Sequence, residues 1–226
     1  THVLMLSQAA AAAARTEWNT PPARLSVLPP TIAADRIQPR LRAGAERERQ
    51  RAALGLRESD LALLWIATQP NTKGLDRALA ALAAFPDMRL TIAGLDAHER
   101  RSSRYVRMAA APGLADRVRW LGRRDDIPAL MAAADILLHP ARYDTTGQVI
   151  LEALCNGLPV LTTAACGFAE HVSAAGAGIV LPEPFAPTAL AAALLQARAA
   201  GQRATWGRNA LLYCEGRDFT RGFADA

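Results

Sequence analysis

Asp144 and Glu152 lie eight residues apart in the run Asp144-Thr145-Thr146-Gly147-Gln148-Val149-Ile150-Leu151-Glu152. An acid, two hydroxyls and a glycine suit a loop turning into a helix, and Thr145 or Thr146 is expected to cap the first turn. Glu152 interrupts an apolar stretch from Val149 to Leu154, and no other charged side chain occurs between Asp144 and Glu170. A carboxylate there is costly unless something pairs with it. Asn156-Gly157 should end the helix, since both residues tolerate the left-handed conformation. A ligand lying along this helix start would meet free N–H groups, the positive end of the helix and two acids.

Other groups point to phosphate chemistry, each with a plainer alternative. Lys73-Gly74 follows an apolar strand and opens a helix, so the ammonium could reach a phosphate or simply be solvated. It is no Walker A loop, and no GxGxxG is present, which argues against a dinucleotide dehydrogenase. Arg123 and Arg124 precede Asp125 and Asp126, so one arginine contacts a base or phosphate or pairs locally with an acid. His139 ends a strand and reads as structural more readily than catalytic. Glu170-His171 could start a helix. Nothing resembles a Ser–His–Asp set or a zinc-ligand spacing.

The elements that must position these groups alternate. Short apolar strands are expected at 3–6, 26–28, 61–67, 89–93, 118–121, 136–139, 160–162 and 179–181. Helices are expected from the alanine-rich run through Trp18, then at 46–54, 75–85, 101–110, 128–134, 147–156, 188–200 and 203–215. Pro29-Pro30 reads as a linker. Strands alternating with helices imply βαβ units and an open, doubly wound, parallel α/β sheet of Rossmann-like form. In such sheets ligands bind beyond the carboxyl ends of the strands. Those ends hold Lys73, Arg124, His139, Gly147 and Gly167.

The 226 residues are 51% hydrophobic, enough for a sizeable core, and carry a net charge of +5. That charge suits an anionic partner or a solvated arginine-rich surface. Basic residues are not interleaved with aromatics, so nucleic acid is not an expected partner. No apolar run approaches the roughly 20 residues that span a bilayer. Three widely spaced cysteines, Cys155, Cys166 and Cys214, read as reduced thiols of a cytoplasmic protein, without metal or disulfide framework. The start at Thr1, with residues 1–14 reading as the interior of a fold, suggests a piece of a longer protein.

Lys73-Gly74-Leu75-Asp76, Leu130–Ala134 with Asp135, Asp144-Thr145-Thr146-Gly147 running to Glu152-Ala153, and Gly157-Leu158-Pro159-Val160-Leu161 resemble the donor-binding half of GT-B retaining glycosyltransferases of family 4. Leu137-Leu138-His139-Pro140-Ala141 and Cys166-Gly167 extend the likeness toward members that glucosylate the lipopolysaccharide core. The resemblance implies the C-terminal half of a GT-B fold. Residues 1–28 would end the acceptor domain and cross over, 29–200 would bind the nucleotide sugar, and 201–226 would pack back toward the N-terminal domain. It implies that Glu152 accepts hydrogen bonds from the ribose hydroxyls and Asp144 holds the sugar. Backbone around Thr146, Gly147, Gln148 and Val149 would cradle the diphosphate. Lys73 would neutralise the leaving group without a metal, and the strand end at Arg124 to Ile127 would hold the base.

The donor would be a nucleotide sugar such as UDP-glucose and the acceptor a glycolipid, met peripherally at the inner face of the cytoplasmic membrane. Two departures stand out. Asp144 replaces the family's first glutamate, and Thr72 and Thr68 stand where an arginine would accompany the lysine, leaving Arg100 or Arg101 as substitutes. A nucleotide-sugar-binding module with impaired catalysis, or a nucleotide-sugar epimerase, remains the alternative. The piece alone is expected to bind donor and to transfer poorly.

Overall fold

The computed structural model describes residues 2–220; Thr1, residues 221–226 and the side chain of Arg101 lie outside it. The chain opens with a small unit in which β1 (Val3–Met5) and β2 (Leu25–Val27) pair in parallel across α1 (Gln8–Thr16). Ser7 caps α1, its Oγ accepting the Ala10 N–H at 3.1 Å. Ala11 and Ala14 bury the inner face of the helix against Met5. The helix stops before Trp18, which is exposed, and Asn19 takes a left-handed turn at φ 54°. The linker is longer than Pro29-Pro30. It runs through single turns of 3-10 helix at Ala34–Arg36 and Pro39–Arg42 before α2 (Ala45–Ala53).

The elements that follow are β3 (Leu61–Ile66), α3 (Leu75–Leu82), β4 (Met88–Ala93), α4 (Ser103–Ala109), β5 (Val118–Trp120), α5 (Ile127–Ala133) and β6 (Ile136–His139). Then come α6 (Gln148–Cys155), β7 (Val160–Thr163), α7 (Ala169–Ala175), β8 (Gly178–Leu181), α8 (Pro187–Ala197) and α9 (Ala200–Glu215). β3 to β8 form one parallel sheet in the order β5-β4-β3-β6-β7-β8, the doubly wound arrangement expected. Helix α7 is the largest departure from the sequence reading, which stopped at a helix-start pair. It is seven residues of mixed polarity, too short for a clear 3.6-residue period.

The strands lack alternation because helices cover both faces of the sheet. Leu61 to Trp65 are all buried. Leu63, Trp65 and Leu138 pack with α3, α4 and α8, whereas Leu64, Leu137 and Val160 pack with α5, α6 and α7. Helix α9 lies across α6, α7 and α8. The chain after it returns to the linker, where Phe219 O accepts the Ile32 N–H at 2.7 Å.

At the amino edge of the sheet, arginines close the end of α5. Arg42 Nη1 donates to Met131 O and Ala134 O at 2.6 and 3.0 Å. Burial, then the neighbouring Arg47 charge, depress Arg42 to about 9. Arg47 and Arg51 reach the last α5 carbonyls and both pair with Asp135, at 2.6 and 3.2 Å. Asp135 also accepts the Ala62 N–H at 2.8 Å and so joins β3 to β6. Removing a partner that leaves charges buried and uncompensated costs about 3–5 kcal/mol. Asp135→Ala is therefore expected to lower stability by about that amount, measured by urea denaturation at pH 7.

Candidate functional site

The strand order reverses between β3 and β6, and the loops after these strands meet there. Gly74 sits at φ 68° as the N-cap of α3, and a Cβ on it would lie 2.0 Å from Pro140 O. Only glycine permits that approach. Arg142 fastens the same two loops. Its N–H donates to Thr72 O at 2.8 Å, and its guanidinium reaches Asn71 O at 2.8 Å and both Asp76 oxygens at 2.8 and 2.6 Å. These hydrogen bonds hold the Asp76 carboxyl below its ordinary range.

The loops converge on Asp144. Lys73 Nζ and His139 Nε2 both lie 2.9 Å from the same oxygen, Asp144 Oδ2. Lys73 Nζ also reaches Tyr143 O at 3.3 Å. Asp144 Oδ1 takes no hydrogen bond from the described residues. Burial pushes the Asp144 carboxyl up, but the hydrogen bonds from His139 and Lys73 and their charges outweigh it and hold it at about 2. His139 is almost wholly buried, which works against its charge; the hydrogen bond to Asp144 and the nearby Cys166 sulfur reverse that and raise it, while His139 Nδ1 finds no hydrogen-bond partner among the described residues. Cys166 completes the cluster, accepting from Thr162 Oγ1 at 3.3 Å. Burial opposes its ionisation, but His139 draws its thiol below the usual range. Ligand atoms of His139, Asp144 and Cys166 lie within 4.8 Å of one another, a spacing a metal ion could use. The cation present at this carboxylate is the Lys73 ammonium.

Helix α6 starts beside this cluster. Gly147, at φ 80°, is its N-cap, and neither threonine caps it. Thr145 Oγ1 turns to Tyr143 Oη at 3.3 Å, while Thr146 contributes its carbonyl to the Phe168 N–H at 2.6 Å. A left-handed glycine makes the turn without a side-chain oxygen, so the N–H groups of Gly147, Gln148 and Val149 meet no acceptor among the described residues. The side-chain Nε2 of Gln148 donates to Thr31 O in the linker, leaving the backbone N–H open. Val149 is half-buried against the core. Gly167 packs so closely that a Cβ would meet Thr145 O at 2.1 Å and Ser7 Oγ at 2.7 Å, which places the β1–α1 turn against the site.

Glu152 lies one turn into α6, half-buried; its backbone carbonyl accepts from Asn156, and its carboxylate takes no hydrogen bond or ion pair among the described residues. Burial pushes its carboxyl up, and the nearby Arg36 charge partly offsets this. Asn156 holds that linker stretch, accepting from Gln38 N at 2.8 Å and donating to Arg36 O at 2.7 Å. Asn156 itself is not left-handed (φ −95°); Gly157 alone makes that turn, at φ 68°.

The fold thus gathers Lys73, Asp144, Thr146, Gly147, Gln148, Val149 and Glu152 at one rim. Arg124 and Ile127 follow β5, two strands out from the reversal. Arg124 Nε is bound to Asp126 Oδ1 at 2.8 Å, the local pairing weighed from sequence, and Ile127 is buried at the start of α5. His171 pairs with Tyr213 Oη at 2.8 Å among aromatic rings. Arg100 is exposed, and the Arg101 side chain lies outside the described residues. Sequence reasoning missed Arg142, which grips the Lys73 loop from the loop after β6, and the gathering of His139 and Cys166 around Asp144. A histidine five residues before an acid at a strand end was the available signal.

A lysine, a carboxylate and an open helix start thus meet at the reversal of a doubly wound sheet, the place where open α/β sheets take their ligands. Residues 46–211 match the family described as glycosyl transferases group 1, and the chain belongs to that family. It is 35% identical over 224 residues to the lipopolysaccharide glucosyltransferase WaaG of Escherichia coli K12, covering 96% of this chain and 59% of that protein. It is 31% identical over 150 residues to the D-inositol 3-phosphate glycosyltransferase of Mycobacterium tuberculosis, covering 65% of this chain and 30% of that protein. The chain thus spans less than two thirds of the length of either relative. The crystal structure of WaaG superposes with a TM-score of 0.89 at 34% identity, over 98% of this chain and 60% of the other. Anabaena Alr3699/HepE, solved with UDP-glucose, superposes with a TM-score of 0.82 at 25% identity, over 97% of this chain and 60% of the other. The architecture is therefore the GT-B half expected from sequence.

Asp144 also carries a pH signature. Its folded value of about 2 lies below the unfolded 3.8, so its contribution is complete above pH 3.8 and is lost as pH falls through about 2. The shift corresponds to about 2 kcal/mol. Asp144→Asn is expected to be less stable than the native protein by about that much at pH 7. The gap should narrow steadily below pH 4, as measured by chemical denaturation at pH 7, 4 and 2.5.

Proposed function

We propose that this chain is the donor-binding part of a retaining hexosyltransferase of the family 4 type, moving a sugar such as glucose from a nucleotide diphosphate to a lipopolysaccharide-core or similar glycolipid. The observation that carries the reading is the unpaired Glu152 one turn behind an open helix start, beside the Lys73–Asp144 pair. A vicinal diol fits a carboxylate that has two oxygens and no protein partner. Ribose hydroxyls would supply the hydrogen bonds that Glu152 lacks. The free N–H groups of Gly147, Gln148 and Val149 would receive the diphosphate at the positive helix end.

Lys73, held at the rim by Asp144, would place its ammonium against the leaving diphosphate as negative charge develops there. Asp144 Oδ1 is open to accept from a sugar hydroxyl while Oδ2 keeps the lysine and histidine in place. Arg124 and Ile127 would border the base once donor binding opens the Arg124–Asp126 pair. Arg142 would act through Asp76 and Thr72 to hold the lysine loop, replacing the arginine absent at Thr72 and Thr68. Residues 1–28, a separate two-stranded unit, fit the end of an acceptor domain, and transfer would need that domain. The similarity to WaaG supports a glycolipid acceptor, and HepE with UDP-glucose supports the donor class. No described helix is long and apolar enough to cross a membrane; the basic surface would serve peripheral attachment at the cytoplasmic face. The relatives are transferases, which does not favour an epimerase or an impaired binding module.

Calorimetric titration with UDP-glucose, UDP-N-acetylglucosamine, GDP-mannose and ADP-glucose tests the donor. One of them should bind, and failure of all four overturns the reading. Glu152→Ala should weaken that binding by about 10- to 100-fold, the loss of one or two charge-assisted hydrogen bonds. Because the Glu152 carboxylate has no partner among the described residues, the melting temperature should be unchanged or higher. Normal binding by Glu152→Ala would remove the ribose assignment.

A further inference from the structure

Cys155 and Cys214 are 59 residues apart in the chain, yet their sulfurs lie 3.4 Å apart. Cys155 ends α6 and is buried; Cys214 sits in the last turn of α9 and is partly exposed. A cleft of about 310 Å³ opens onto both, lined also by Ile37, Pro39, Leu211 and Phe219. The two thiols are unequal. Cys155 Sγ donates to Cys214 Sγ, and this contact draws the Cys214 thiol down; burial opposes it and the Arg217 charge reinforces it. The same contact, then burial, pushes the Cys155 thiol up. Arg217 is kept close, its N–H donating to Cys214 O at 3.0 Å and its guanidinium lying over the Tyr213 ring. A partly exposed thiol whose ionisation is eased, 3.4 Å from a buried thiol whose ionisation is opposed, is the arrangement of a reactive and a resolving cysteine. Neither sulfur has a part in the donor site.

We propose that Cys155 and Cys214 form a peroxide-oxidisable dithiol whose disulfide staples α9 to the end of α6. The Cys214 thiolate attacks one oxygen of hydrogen peroxide, the O–O bond breaks, and Cys214 sulfenic acid and hydroxide result. The hydroxide takes up the proton that Cys214 released and leaves as water. Cys155 sulfur then attacks the Cys214 sulfur, the S–O bond breaks, and the departing hydroxide leaves with the Cys155 proton as a second water. Two thiols are oxidised by two electrons and one peroxide is reduced to two waters. The sulfurs must close by little more than about 1 Å to reach the usual 2.05 Å. The bond would enclose β7, α7, β8 and α8 in one loop. It would also tie down the helix that carries Glu152 a turn earlier and Asn156, the anchor of the linker.

The test treats the whole protein with equimolar hydrogen peroxide, then counts thiols and maps peptides. The three cysteines of this chain should fall to one free thiol, Cys166, with Cys155 and Cys214 in one disulfide-linked peptide. The melting temperature should rise by about 5–10 °C and return with dithiothreitol. In Cys155→Ala, dimedone should trap a sulfenic acid at Cys214 at least tenfold more than in the native protein. Oxidation of Cys214 to the sulfinic acid with Cys155 left free, pairing of either cysteine elsewhere, or equal dimedone trapping in both proteins would overturn the proposal.

Discussion

One carboxylate oxygen ties the working rim together. Asp144 Oδ2 receives both Lys73 Nζ, from the loop after β3, and His139 Nε2, from the end of β6. Partial burial makes this carboxylate costly without such partners, so the pairing holds the two loops in register. The surrounding contacts serve that register. Gly74 lets the backbone touch Pro140, Arg142 clamps Asp76, and Thr163 Oγ1 donates to Ala141 O at 2.7 Å from the next strand. The short side chain of Asp144 gains meaning here. It is held back on the lysine and histidine by one oxygen, while the other oxygen meets no donor among the described residues.

Helix α6 has the opposite character. Its first N–H groups and Glu152 lack partners among the described residues, and burial opposes the Glu152 charge. Unsatisfied polar groups cost stability and persist where function uses them. The cost is offset around them: the linker is bound by Gln148 and Asn156, and α9 covers the outer side. The helix with these open groups is thus held from outside, by the linker on one side and α9 on the other.

Most strands and helices were legible because each is a short apolar run bounded by glycine, proline or charge. Their edges moved by a few residues where side chains left the helix period, as at Trp18 and beyond Leu82. The threonine caps expected at α6 did not form. Gly147 alone supplies the left-handed turn, and the Thr146 carbonyl is taken by Phe168 from a loop twenty residues on. Helix α7 was hidden by its length, and the arginine closure of α5 by the distance in sequence between Arg42 and Ala134.

By itself the sequence determined the class of sheet, the candidate residues at its carboxyl edge, and the pairing of an isolated acid with a helix start. These follow from local periodicity, turn chemistry and the cost of burying charge, which act within a few residues. Tertiary structure alone decided which candidates meet. It placed β3 beside β6, joining Lys73 to Asp144, set Arg124 two strands away, bound Arg142 to Thr72, Asn71 and Asp76, and brought Cys155 onto Cys214. Strand order and helix docking are settled by packing of the whole core, and no local pattern encodes them. The acid pair of the sequence therefore separates into two kinds of carboxylate: Asp144, held through Oδ2 by Lys73 and His139, and Glu152, without a partner among the described residues.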